Sequence, residues 1–188
     1  GIIEAEEDVT VSAEISGRIV EIHRELGDVV DAGDWLVSLD KSAVNARIRK
    51  IEAQLARANT QLEWSRRDLE RQQDLFEQEI AAERAYDEAQ RLVDTSRDDM
   101  AAAEADLELA RVDLARSTIR SPIRGRIAKR HVATGEYVRE GTQIFDVVGT
   151  ERVKFVFSVA ERDVIAISEN DMLSVRIDAY TPDSFDGI

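Results

Sequence analysis

The rhythm of hydrophobic and polar positions changes twice along this chain. Residues 9–40 alternate β-branched and polar side chains around Gly17, Gly27 and Gly33, which predicts short strands joined by tight turns. From about Ser42 to Ser117 there is no glycine or proline, and Ala, Glu, Arg, Gln, Asp and Leu dominate, so the prediction there is continuous helix. At Pro122 the strand texture returns and continues to the end.

The two strand-rich stretches are related. A shift of 108 positions, without a gap, places Gly17-Arg18-Ile19 on Gly125-Arg126-Ile127, His23 on His131, Gly27 on Gly135, Val30 on Val138 and Gly33 on Gly141, giving seven identities over the 24 positions from Gly17 to Asp40. An internal repeat is the economical explanation. Ile19, Val29 or Tyr137, Leu36 or Ile144, and Leu39 or Val147 are its expected core positions. Neither half has enough apolar residues to stand alone, so the two are expected to pack on each other as one β sandwich. The helical segment then becomes an insertion that must go out and come back.

Its pattern supports a hairpin. Positions 44, 48, 51, 55, 58, 62, 65, 69, 72 and 76 follow 4-3 spacing and form one heptad seam; Tyr86, Ala89, Val93, Ser96, Met100, Ala103, Leu107, Ala110 and Leu114 form another. The seams are out of phase. Extending the first would bury Glu79, Glu83, Arg97 and Glu104, and unpaired buried charge is costly. Two antiparallel helices broken between about Glu77 and Glu83 are therefore expected, each arm roughly 50 Å long at 1.5 Å per residue. Leu62, Leu69, Val93 and Met100 should face inward, and Arg97 and Glu104 outward.

Charge narrows the function. With 39 acidic against 25 basic residues the formal net charge is −14, which disfavours nucleic acid as a partner. Cysteine is absent, so thiolate metal sites and cysteine nucleophiles are excluded. No apolar run approaches the ~20 residues of a membrane-spanning helix. No nucleophile elbow, phosphate loop or metal-spaced cluster occurs, so neither catalytic residues nor a cofactor or metal is expected. The two histidines occupy equivalent repeat positions and read as strand-surface residues.

Ser16-Gly17-Arg18-Ile19-Val20, Gly27-Asp28-Val29-Val30 and Gly33-Asp34-Trp35-Leu36 before the helices, with Ser121-Pro122-Ile123-Arg124-Gly125-Arg126-Ile127, Gly135-Glu136-Tyr137-Val138 and Gly141 after them, resemble the membrane fusion proteins, the periplasmic adaptors of the HlyD-like family. The run Val153 to Val159, then Glu161-Arg162-Asp163-Val164 and Asp171 to Tyr180, resembles the opening strand, short helix and next strand of that family's β-barrel domain.

The resemblance implies an α+β chain. Residues 9–40 plus 118–149 would form a lipoyl/biotinyl-like β sandwich, the barrel-sandwich hybrid, split by an antiparallel coiled-coil hairpin at 41–117. Residues 1–8 plus 150–188 would begin a β-barrel domain. By the same resemblance the chain is a non-enzymatic adaptor of a tripartite exporter. It would link an inner-membrane transporter, RND-type before ABC-type, to a TolC-like outer-membrane channel. It would act in the periplasm, anchored through a segment outside this chain, and self-associate into a ring, a hexamer or trimer of dimers. Adaptors that dock to such channels carry Arg, Leu and Ser around the hairpin tip. The matching positions are Arg71, Leu75 and Ala82, with alanine in place of the serine.

A carrier function is the rival from another class, because biotinyl and lipoyl domains display a modified lysine between their halves and Lys41 sits near that place. Lys41 opens a long helix instead of capping a tight turn, which argues against it.

Overall fold

A computed structural model describes residues 2–5, 7–80, 82–150, 153–156, 158, 173–176 and 184–187. The chain divides into two compact units, Glu7–Glu151 and Gly1–Glu6 with Arg152–Ile188. In the smaller unit β1 (Ile2–Ala5) pairs antiparallel with β10 (Val153–Val156), and β11 (Leu173–Arg176) with β12 (Ser184–Gly187). The short helix expected at 161–164 lies outside the described residues.

The larger unit runs β2 (Asp8–Ser12), β3 (Gly17–Ile22), β4 (Val29–Val30), β5 (Trp35–Leu39), α1 (Ser42–Glu77), α2 (Glu83–Arg116), β6 (Thr118–Arg120), β7 (Gly125–Arg130), β8 (Tyr137–Val138) and β9 (Gln143–Gly149). Its strands make two four-stranded sheets, ordered β2-β9-β7-β4 and β6-β5-β3-β8. The sequence repeat maps one sheet onto the other strand for strand, so each sheet is built from both halves.

The backbone repeats the same exchange. Gly27 N donates to Ile127 O at 2.9 Å, and its counterpart Gly135 N donates to Ile19 O at 2.9 Å; Gly33 N to Ser121 O (2.7 Å) is matched by Gly141 N to Ala13 O (2.8 Å). These four glycines hold φ between 82° and 90°, the left-handed region where a Cβ is strained. Gly125 is required for another reason: a Cβ there would lie 2.4 Å from the carbonyl oxygen of Val148 on the neighbouring strand.

One continuous core joins the halves, with Ile19, Leu36, Leu39, Ile127, Ile144, Phe145 and Val147 fully buried. The expected core pair Val29 and Tyr137 is corrected by the structure. They are 56% and 63% exposed, whereas Val30 and Val138 are each 1% exposed. Residues directly opposite one another across a ladder share a face. Val29 stands opposite Arg126 and Tyr137 opposite Arg18, so both lie on the solvent face; Val30 and Val138 stand opposite Gly125 and Gly17, which carry no side chain to compete for the interior.

The helices form the expected antiparallel pair. Arg47 near the start of α1 bonds Asp113 near the end of α2 at 3.1 Å, and Phe76 at the end of α1 stacks on Tyr86 at the start of α2. Both seams face inward along this register. Ile51, Leu62, Ala89, Val93, Leu107 and Ala110 are buried, Leu69 and Met100 half-buried, and Arg97 and Glu104 exposed. Ser65 and Ser96 are also buried, and the register puts them at one level, where their small size lets the helices approach closely. Phe76 departs from its expected seam position: it is exposed, and the stacked pair closes the seam instead.

At the root of the hairpin, Asp40, one residue before the N-cap Lys41, accepts a hydrogen bond from the backbone N–H of Ser42 at 2.8 Å and so satisfies one of the free donors at the start of α1. Hydrogen bonds from the Ser42 hydroxyl and backbone, with the nearby Arg18 charge, hold the Asp40 carboxyl below its usual range. Leu39 N donates to Ser117 O at 2.8 Å, tying the strand that leaves the sandwich to the residue that returns to it.

Candidate docking site at the hairpin tip

The turn between the helices is made without glycine. Glu79 takes the left-handed conformation (φ 59°), its N–H donates to Phe76 O at 2.9 Å, and Ile80 N–H donates to Leu75 O at 2.9 Å. This is the Schellman arrangement, which satisfies the last carbonyls of α1 and normally places glycine where Glu79 stands. The chain then resumes extended geometry at Ala82 (φ −73°, ψ 142°), the N-cap of α2, where no side chain accepts from the exposed helix N–H groups.

The three tip positions singled out in the sequence fall on different parts of this turn. Arg71 lies on α1, exposed and ion-paired with Asp68 one turn earlier. Leu75 is half-buried and supplies the carbonyl that closes the Schellman motif. Ala82 is exposed and begins α2; a serine at this position would cap the helix, so its absence removes a local stabiliser.

Sequence reasoning missed the most exposed apolar side chain of the tip, Ile80, at 69%. A single isoleucine between acidic residues belongs to neither seam, and only its placement in a protruding turn distinguishes it. Phe76 and Tyr86, on either side of it in sequence, stack on each other with ring centroids 5.8 Å apart and planes 21° from parallel. The same tip segment carries Asp74, Glu77, Glu79, Glu83, Asp87 and Glu88, with Arg84 the one base between Asp74 and Glu88. Such a surface can seat an apolar contact inside an acidic rim.

The two histidines, expected on strand surfaces, instead directly follow the last residues of β3 and β7, Ile22 and Arg130, and are half-buried. His23 Nε2 lies 2.8 Å from Ser38 Oγ, and His131 Nε2 lies 2.9 Å from Asp146 Oδ2, at equivalent places in the repeat. Burial opposes ionisation of Asp146, but hydrogen bonds from His131 and Thr10, with the nearby charges of His131 and Lys129, outweigh it and hold the carboxyl below its usual range. Lys41, the position a carrier domain would modify, directly precedes α1, and its Nζ is 6.0 Å from the centre of the Trp35 ring. Among the described residues, no helix is long and apolar enough to cross a membrane.

Known proteins share this arrangement. Residues 7–149 match the sequence profile of the CzcB-like barrel-sandwich hybrid domain. Multidrug resistance protein MdtA of Yersinia enterocolitica is 31% identical over 184 residues, covering 97% of this chain and 42% of that protein. The chain thus spans about two fifths of the length of the curated relatives it matches. Among solved structures, the membrane fusion protein Spr0693 of Streptococcus pneumoniae R6 superposes with a TM-score of 0.78 over all of this chain and 78% of its own, at 20% identity. A MacA-MexA chimera carrying the Pseudomonas aeruginosa MexA α-hairpin domain gives 0.70 over 98% of this chain and 61% of its own, at 23% identity. The shared folds agree with the split sandwich and its helical insert, and the profile match spans most of the chain: the chain belongs to the family of the CzcB-like barrel-sandwich hybrid domain, which residues 7–149 form.

Proposed function

We propose that this chain is the adaptor portion of a tripartite efflux system, acting in the periplasm between an inner-membrane transporter and an outer-membrane channel. The observation that carries this reading is the hairpin. Two helices of 36 and 34 residues leave the sandwich side by side and end in a turn that presents Ile80, Phe76 and Tyr86 within acidic surroundings. Both roots are tied to paired strands, so the tip is the part of this unit farthest from the sandwich and the part able to engage a distant protein. Kinship with proteins named for multidrug resistance favours a drug exporter, with an RND-type pump as the transporter.

In this reading the role is scaffolding, several copies assemble into a ring, and the smaller unit is the start of a β-barrel module. Arg71, Leu75 and Ala82 belong to the docking surface, together with Ile80. An apolar anchor within an acidic rim fits a channel end that offers apolar pockets and basic or donor groups, so association should weaken as salt is raised. The decisive experiment replaces Leu75 and Ile80 each with Asp in the complete adaptor and measures drug efflux in cells. Loss of efflux with normal helical content and normal co-purification with the transporter is the expected result; full efflux by both variants would overturn tip docking.

A further inference from the structure

The pseudo-twofold repeat supplies an internal control for what the sandwich itself needs at each position. At the end of the sheet containing β3, β5 and β6, the residues His23, Arg24, Gly33, Asp34, Trp35 and Arg120 line a groove of about 420 Å³. The equivalent positions of the other half are His131, Val132, Gly141, Thr142, Gln143 and Ser12. Histidine and glycine are kept, and the charges and the tryptophan are not. Val132 is a buried member of the core, whereas its counterpart Arg24 is a partly exposed cation. The fold therefore closes this corner with Val, Gln and Ser, and the basic-aromatic set is extra to it.

That set is short of partners. Trp35 is 50% exposed, with the Arg120 guanidinium 5.4 Å and the Lys41 ammonium 6.0 Å from its ring centroid, and His23 edge-on at 5.7 Å. Arg120 donates to Gly33 O at 2.8 Å, and among the described residues neither it nor Lys41 has a carboxylate within ion-pair distance. Arg24 reaches Asp34 at 3.1 Å and donates to His23 O at 3.5 Å, so it lines the groove as a paired cation, and the charge without a carboxylate partner is carried by Arg120 and Lys41. In a chain of net charge −14, Arg120 and Lys41 thus stand over one exposed indole with no carboxylate to neutralise them.

We propose that this groove binds a small organic oxyanion, its carboxylate or phosphate group held by Arg120 and Arg24 and its flat apolar part lying against Trp35. A guanidinium offers paired donors that match both kinds of anion, Lys41 adds charge, and an aromatic face favours a ring or chain on the ligand. The groove exceeds the size of an inorganic anion and falls within the usual range for small-molecule sites. Nothing in this assignment depends on the efflux reading.

The test uses the whole chain with Trp64→Phe, which leaves Trp35 as the sole tryptophan and changes only an exposed position of α1. Phenyl phosphate and phenylacetate are titrated at low salt and followed by Trp35 fluorescence. Saturable quenching by at least one of them is expected, and which one binds tighter assigns the anion. Arg120→Ser, which installs the residue of the other half, should weaken binding about tenfold or more, while Arg126→Gln on a different strand should not. The double variant Arg24→Val, Arg120→Ser should keep its circular dichroism spectrum and lose binding. No saturable change with either probe, or equal affinity in Arg120→Ser, overturns the proposal. Collapse of the double variant would also overturn it, because the residues would then be structural. So would binding of a hexaglutamate peptide, weakened by Arg120→Ser, when neither small anion binds, since the groove would then be a protein-docking surface.

Discussion

The sandwich and the hairpin of the larger unit hold their shape in opposite ways. In the sandwich, fourteen buried residues drawn from both ends of the sequence form one core, and four glycines with positive φ let the chain turn where no other residue is relaxed. In the hairpin, the buried residues form a single file along two helices, with only Ile51, Leu107 and Ala110 gathered into a cluster. Contacts distant in sequence make the sandwich all-or-none, whereas the hairpin is a stack of similar layers, each of which matters locally. A protein that must place a remote surface accurately gains from that division: the base is fixed in three dimensions, and the arm can vary in length and sequence layer by layer.

The contrast can be broken most sharply at Phe145, the largest fully buried side chain of the sandwich. Phe145→Ala should cost about 3 to 5 kcal/mol, and thermal denaturation should show the strands melting as one transition. Separate melting of the two sequence halves would contradict a shared core. Leu62→Ala, at a position 2% exposed in the middle of the seam, should cost about 2 to 5 kcal/mol. Far-UV circular dichroism should show helix lost before the strand signal; simultaneous loss would mean that the arm and the base are not separable.

At the tip the expected changes run the other way. Ala82→Ser supplies the missing N-cap and should add about 1 kcal/mol of stability. Glu79→Gly relieves a left-handed non-glycine residue and should add about 1 kcal/mol, which chemical denaturation followed by helix signal would detect. If neither variant is stabilised, the turn is held by something other than the helix ends. The smallest effect compares the two halves of the sandwich. The Asp146 carboxyl is depressed in the folded state, so its contribution is present above its unfolded pKa of about 3.9 and is lost as pH falls through the lower folded value. Asp146→Asn should therefore flatten the stability profile below about pH 4, while Ser38→Ala at the equivalent place should leave its slope there unchanged.

Much of this was legible in the chain because the signals were periodic. Glycines 108 residues apart exposed the repeat, and two out-of-phase heptad seams located the hairpin break to within the residues that form it. The face of β4 and β8 was not legible from alternation, since Val29-Val30 and Tyr137-Val138 are apolar at both positions; the cross-strand arginines and glycines decide it, and pairing is invisible in one sequence. Val30 and Val138 nevertheless carried a hint, being identical between the halves where Val29 and Tyr137 differ. The tip was harder. Glu79 occupies a place where glycine would have announced the turn, and Ile80 matters through exposure, which no pattern of burial reports.

The hairpin also bears on how the chain reaches its fold. β5 and β6 are adjacent in one sheet, Ser38 opposite Thr118, yet they are separated in sequence by the whole helical insert. Were that insert a flexible coil, closing it would cost about 2 to 3 kcal/mol more than closing a turn of a few residues. Helix formation and short-loop closure are fast, local events. Once α1 and α2 have zipped from the turn at Glu79, the two strand ends arrive together and the effective separation between halves shrinks to the width of two helices. A chain with the seam disrupted should then refold its strands more slowly even where the finished sandwich is equally stable, so the arm that reaches outward in the native protein would serve during synthesis as the clasp that brings its base together.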